Sequence, residues 1–155
     1  MFGDTDQDVG YSVTVDSSGN IYTTGLFQGT VDFDPGAGTA NLTSNGGHDV
    51  FVLKLNSSGN YVWAKNFGGT DNEKGFSVAV DSSGNVYTTG YFQRTVDFDP
   101  GAGTTNLTVN GNTANDVFVS KLDSSGDLLW VRSVGGTSND LAQSVAVDSS
   151  GNEDT

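Results

Sequence analysis

The 155-residue sequence contains no cysteine, two prolines, one histidine and only six basic residues. Without cysteine there is no disulfide framework, no thiolate metal site and no cysteine nucleophile. No apolar run approaches the ~20 residues that a transmembrane helix needs, so we expect no membrane insertion. The N-terminal residues 1–10 have neither a basic nor an apolar region, and we therefore expect no signal peptide in this segment.

Acidic residues outnumber basic residues by 19 to 6, which gives a formal net charge of −13. Because the phosphate backbone of nucleic acids repels such a surface, we expect no nucleic-acid partner. Strong helix formers are scarce and no stretch shows a sustained helical period, whereas Gly, Ser, Thr, Asn and Val are common. The composition predicts an all-β protein.

One stretch of 30 residues occurs twice, at 16–45 and at 81–110, with identity at 25 of the 30 aligned positions. A tandem repeat this close predicts a repeated structural unit. The copies differ at Ile21/Val86, Leu26/Tyr91, Gly29/Arg94, Ala40/Thr105 and Ser44/Val109.

Five related turns follow an Asp or Asn along the chain, at 17–20, 57–60, 82–85, 124–127 and 149–152. An Asx residue followed by Gly is typical of the tip of a β-hairpin. The turns recur with periods of 65 and 67 residues, and each period holds two hairpins. The predicted strands are 11–15, 21–27, 49–55 and 61–67, then 76–80, 86–92, 116–122 and 128–134, with the first strand of a third unit at 144–147.

Four antiparallel strands per tandem unit are typical of a β-propeller blade. The motifs D-S-S-G-N-[IV]-Y-T-T-G, V-D-F-D-P-G-A-G-T and D-V-F-V-x-K-L-[ND]-S-S-G-[ND], with a W…G-G-T linker, resemble the SBBP family of bacterial β-propeller repeats. The resemblance implies blades within large secreted or surface-displayed bacterial proteins. It carries over no catalytic residues.

The predicted organisation is therefore two blades and the beginning of a third. A closed propeller typically has four to eight blades. We therefore expect a segment of a larger propeller, or one completed by copies of itself. The predicted parts are an acidic linker at 1–10, blade repeat 1 at 11–68, a linker at 69–75, blade repeat 2 at 76–135, and a linker with one strand of an incomplete third repeat at 136–155.

Two groups of carboxylates are candidate calcium ligands, because Ca²⁺ takes six to eight oxygen ligands. One group alternates before the first strand, and the other lies in the repeated Asp-Phe-Asp-Pro-Gly insert, where glycan contact is a further interpretation. The alternatives are a solvated acidic linker and a packed insert over the blade edge. The candidates are Asp4, Asp6, Asp8, Asp32, Asp34, Asp97 and Asp99.

Trp63 and Trp130 occupy matching positions, and we interpret both as packing residues between sheets, with ligand stacking as the alternative. His48, the one histidine, is interpreted as a surface-loop residue. With no acid–base constellation evident, the sequence favours a non-catalytic extracellular structural or interaction module that self-assembles. The alternative is a repeat module that binds calcium or carbohydrate.

Overall fold

The computed structural model describes residues 7–111, 114–148 and 153–154, and these ranges contain strands but no helix. All-β architecture is thus confirmed. The strands are β1 (Val9–Val15), β2 (Ile21–Phe27), β3 (Thr30–Asp32), β4 (Asn41–Thr43), β5 (Asp49–Leu55), β6 (Tyr61–Phe67), β7 (Lys74–Val80), β8 (Val86–Gln93), β9 (Thr95–Asp97), β10 (Asn106–Thr108), β11 (Asn115–Leu122), β12 (Leu128–Val134), β13 (Ala146–Val147) and β14 (Glu153–Asp154).

Eight of these strands form two antiparallel sheets, which we name blade 1 (β1-β2-β5-β6) and blade 2 (β7-β8-β11-β12). The prediction of two four-stranded blades is confirmed, and the sheets do not close into a ring. Strands β1 and β7 begin two residues earlier than predicted, because bulges at Gly10/Ser12 and Gly75/Ser77 let pairing continue. The short hairpins β3-β4 and β9-β10 lie in segments that the sequence identified only as inserts.

The hairpin tips form as the Asx-Gly pattern predicts. Asp16 Oδ1 accepts hydrogen bonds from the backbone N–H groups of Ser18 and Asn20, both at 2.9 Å. Its Oδ2 accepts from Asn20 Nδ2 at 2.8 Å and from the Tyr22 hydroxyl at 3.1 Å. Gly19 has a φ of 81°, which glycine adopts at little cost. Turns beginning at Asn56, Asp81 and Asp123 repeat the two backbone bonds.

The larger hydrophobic core lies between the two blades. It joins Tyr22, Trp63 and Phe67 of blade 1 to side chains of blade 2. Phe98, from the insert of blade 2, lies 5.2 Å from Phe67 and 5.1 Å from Phe118 between ring centroids. The smaller core is confined to blade 1, on its opposite face. Phe33 and Phe98 of the inserts belong to these cores. The inserts are therefore packed, but Phe98 lies between the blades and not over a blade edge.

The start of a third unit follows blade 2. Val145 N–H donates to Ser77 Oγ at 3.2 Å, just as Val78 N–H donates to Ser12 Oγ at 3.3 Å. The third unit therefore meets β7 in the same way that β7 meets β1. Strand β13 begins at Ala146 rather than at 144, and the fifth predicted turn lies outside the described residues.

Candidate interaction site

Two side chains of blade 1 reach one turn of blade 2 at the junction between the blades. Trp63 Nε1 donates to the carbonyl oxygen of Ser124 at 3.1 Å, and Lys54 Nζ lies 3.4 Å from the same oxygen. The indole packs edge-on against Tyr22, with ring centroids 6.4 Å apart. The interpretation of Trp63 as a packing residue between sheets is confirmed.

Trp130, the equivalent tryptophan of blade 2, is only partly buried. It packs on Tyr87 of its own blade at 6.3 Å and carries the Arg132 guanidinium over its ring at 5.9 Å. Within the described residues no four-stranded neighbour covers that side of blade 2. The two tryptophans therefore share a sequence position and differ in environment.

Each blade has one exposed face whose equivalent in the other blade is buried at the junction. Val78 of blade 2 is 4% exposed because it packs against blade 1, whereas the equivalent Val13 is 65% exposed. Val13 and Val15 define the open face of blade 1. Phe67 is 2% exposed, whereas its equivalent Val134 is 68% exposed. Val134 and Trp130 define the open face of blade 2. Apolar side chains that are exposed where their equivalents are buried by a neighbouring blade make these two faces candidate interaction sites.

A buried carboxylate lies at the junction between the blades, and the sequence interpretation did not single it out. Glu73 is fully buried, and its Oε2 accepts the Gly69 N–H at 2.8 Å. Burial raises the pKa of Glu73 to about 7, and the nearby Asp49 and Asp71 carboxylates also raise it. The hydrogen bonds from the Gly69 and Gln93 N–H groups lower this pKa and offset part of the increase. The signal available in the sequence was the carboxylate that recurs in each linker, as Asp8, Glu73 and Asp140.

Asp49 is a second buried carboxylate that was missed. It accepts hydrogen bonds from Asn45 and from Asn66 Nδ2, the latter at 2.9 Å. Desolvation nevertheless raises its pKa above the ordinary value. A β-carbon on Gly68 would lie 2.2 Å from Asp49 Oδ1, so the glycine of the Gly-Gly-Thr linker leaves space for this carboxylate. An Asp at the start of an apolar strand was the sequence signal for it.

The insert carboxylates hold their own loops together. Asp32 Oδ1 accepts the N–H groups of Asp34 at 3.0 Å and Ala40 at 2.8 Å, and these bonds lower its pKa. Asp34 Oδ1 accepts the Gly36 N–H at 2.7 Å. Asp97 and Asp99 form the same bonds in blade 2.

Calcium binding stays a prediction for these residues. The described part of the chain contains no group of three or more His, Cys, Asp or Glu side chains arranged to hold a metal. Asp8 is half-buried next to β1, while Asp4 and Asp6 lie outside the described residues. His48 is half-buried and its Nδ1 lies 2.7 Å from Asn72 Oδ1, in a loop, as expected.

Asp32→Ala and Asp97→Ala separate the calcium interpretation from the structural one. Each substitution removes two backbone hydrogen bonds to a charged acceptor, and we expect each to lower the free energy of unfolding. Denaturant titration measures that loss. Calorimetric titration with calcium tests the other interpretation: parallel loss of binding heat in both variants would support calcium at the inserts, and no heat with the wild-type chain would contradict it.

The described residues contain no helix with the length and apolar character needed to cross a membrane.

Comparison with known proteins identifies the repeat. A family model described as a beta-propeller repeat, SBBP, matches residues 2–26 and 62–91. An uncharacterized WD repeat-containing protein of Acanthamoeba polyphaga mimivirus is 31% identical over 144 residues, which is 88% of this chain. The regulatory protein FlaEY of Caulobacter vibrioides is 34% identical over 106 residues, or 68% of this chain.

The chain spans about a tenth of the length of these relatives, at 10% and 11% respectively. The matched segments contain the first hairpin of each blade, including β1 and β7, which carry the blade-to-blade contacts. Residues 2–26 and 62–91, which include the first strands β1 and β7 of the two blades, therefore match the SBBP beta-propeller repeat family.

Proposed function

We propose that the chain is a non-catalytic interaction module whose two open faces bind further four-stranded units. These units are copies of the chain itself or further blades of a longer protein. The observation that carries the proposal is the contrast between Val78 and Val13, which are equivalent in sequence and differ only in having a neighbouring blade. Covering the open face of blade 1 would remove Val13 and Val15 from water.

The geometry of the existing junction supports such an association. The hydrogen bonds of this junction use two features that recur in the units. One is a serine Oγ on the first strand of the unit, and the other is a backbone carbonyl oxygen in an Asx turn. A second copy offers the same groups, so the junction can be repeated without new chemistry. The bulk of the stabilisation would come from apolar burial, at roughly 25 cal/mol per Å².

Two aspects of the proposal rest on the repeat family and the charge. Duplicated, near-identical units favour a scaffold or multivalent binder over an enzyme, because catalysis usually needs one asymmetric constellation. A secreted or bacterial cell-surface location is supported by the resemblance and by the acidic composition. Carbohydrate or calcium binding by the inserts remains the alternative function.

Light scattering with matched variants tests the association. We expect the wild-type chain to show a mass that is a multiple of 16.1 kDa and that falls on dilution. Val13→Asp should shift the mass towards the monomer, because it places a charge in the proposed interface. A wild-type chain that stays monomeric with an intact fold at all concentrations would contradict self-association.

Val62→Asp is the control for the charge itself. Val62 is 43% exposed, and among the described residues its blade has a neighbour only on the side of blade 2. The equivalent Leu129 is 52% exposed, although its blade has blade 1 as a neighbour on the opposite side. That position therefore stays exposed with a neighbour on either side. We expect Val62→Asp to leave the mass unchanged. An equal effect of both variants would show that charge, rather than the open face, controls association.

A further inference from the structure

Two of the differences between the two repeats lie next to each other in blade 2, where Val109 N–H donates to the carbonyl oxygen of Arg94 at 2.9 Å. Gly29 of the first copy is replaced by Arg94, and Ser44 is replaced by Val109. The loop that follows, from Gly111, is two residues longer than its counterpart. Near-identical copies that diverge at neighbouring positions indicate a property that only the second copy has.

Arg94 adopts a backbone conformation that its counterpart adopts more easily. The φ of Arg94 is 54°, and among the described residues no other non-glycine residue has a positive φ. The equivalent Gly29 of the first copy has a φ of 78°. The change also removes an acceptor, because Ser44 Oγ accepts the Gly29 N–H at 3.0 Å and Val109 cannot do so. Arg94 is therefore held in a strained position.

The ion pair that Arg94 makes does not offset this strain. Arg94 Nε lies 2.6 Å from Asp71 Oδ2, but the arginine side chain is 66% exposed. Exposed ion pairs contribute little to stability, since solvent screens them. A non-glycine residue in the left-handed region is disfavoured relative to glycine. Stability alone therefore gives no reason for arginine at this position.

A cavity of about 500 Å³ lies beside Arg94, which is within the usual range for small-ligand sites. Thr95 and Thr108 contribute hydroxyl groups that lie 2.9 Å from each other, and Val109 provides an apolar surface. Asp71 holds Nε, and in the described part of the chain no hydrogen bond engages Nη1 or Nη2. The lining residues are Thr70, Arg94, Thr95, Thr108, Val109 and Gly111.

We propose that this cavity binds a sugar that carries a carboxylate, of the hexuronate class. The two Nη groups of Arg94 form a planar pair of donors, which matches the two oxygens of a carboxylate. The threonine hydroxyls donate to and accept from sugar hydroxyls, while Val109, which is 8% exposed, contributes only a small apolar contact. The equivalent position in blade 1 has Gly29 and therefore lacks the site.

The Arg94 guanidinium, and not the net charge of the protein, controls which ligand binds at physiological salt. With a net charge of −13, the chain repels a dianionic phosphate more strongly than a monoanionic carboxylate. Repulsion at a distance is screened at 0.15 M salt, where the Debye length is about 8 Å, so the local guanidinium controls binding. A neutral sugar offers no carboxylate to the two Nη groups of Arg94, and it should bind more weakly.

The test is a titration of the full chain with glucuronate, followed by amide NMR shifts at 0.15 M salt. We expect shifts centred on the amides of Thr95 and Thr108, with glucose binding at least tenfold more weakly. Arg94→Gly, which restores the residue of the first copy, should lose glucuronate binding at least tenfold. The same variant should raise the melting temperature by about 2 °C, because it relieves strain. Loss of binding in a more stable protein cannot come from misfolding.

Two control variants sharpen the result. Arg132→Gln also removes one positive charge, but Arg132 lies over Trp130 and does not line the cavity. This variant should therefore leave glucuronate binding unchanged. Arg94→Lys keeps the charge without the paired donors and should weaken binding several-fold. Unchanged binding in Arg94→Gly, equal binding of glucose and glucuronate, or no shifts in the wild-type chain would each overturn the proposal.

Discussion

Replacing Trp63 by alanine is expected to lower the free energy of unfolding by about 3–5 kcal/mol, the usual cost of deleting a buried tryptophan side chain. The substitution removes the edge-on contact with Tyr22 and the hydrogen bond to the carbonyl oxygen of Ser124, 61 residues along the chain. It would also open a cavity against Gly126, which lies next to the indole. Denaturant unfolding followed by circular dichroism measures the loss.

Trp130→Ala is the matched control, because Trp130 occupies the same position in blade 2 and is only partly buried. We expect a loss of about 1–2 kcal/mol, since less apolar area returns to water. Equal losses of about 1–2 kcal/mol would contradict the assignment of Trp63 to the junction between blades. Equal losses of about 3–5 kcal/mol would instead indicate that a further unit covers the open face of blade 2 under the conditions used.

Replacing Glu73 by glutamine is expected to stabilise the protein above pH 7 by about 3 kcal/mol and to change little near pH 4. In the unfolded chain this carboxyl ionises near its ordinary value of 4.5, whereas in the folded protein burial raises its pKa to about 7. The folded state therefore holds the proton more tightly. The wild-type protein loses stability as pH rises from about 4.5 through 7, because the carboxylate must then be buried as an anion.

The difference in unfolding free energy between wild type and Glu73→Gln, measured from pH 4 to pH 8, isolates this effect from other carboxylates. Asp16, Asp32 and Asp81 have lowered pKa values and act in the opposite direction in both proteins. Asp140→Asn provides a control at the same linker position, where the carboxylate accepts the Gly136 N–H at 2.9 Å without full burial. A Glu73→Gln difference that does not vary with pH would show that Glu73 is not held as described.

The local features of the fold could be predicted from the sequence because they depend on neighbouring residues. Asp16 and Asn20 close a turn by bonds that span four residues, and the same pattern recurs at Asp81. Alternation and turn spacing then placed the eight long strands, six of them with the bounds that the structure shows or within one residue of them. The inserts were recognised by their repetition, although their short strands were not predicted.

The properties of the candidate sites required the tertiary structure, because they depend on contacts between residues more than 20 positions apart. Val13 and Val78 have nearly the same sequence context, and only the neighbouring blade makes one exposed and the other buried. Glu73 resembles Asp8 and Asp140 in sequence, and burial at the junction alone gives it an unusual pKa. The repeated unit and its turns therefore follow from the order of the residues alone. Which faces remain open depends on the packing of one sheet on another, because that packing sets the burial of each side chain.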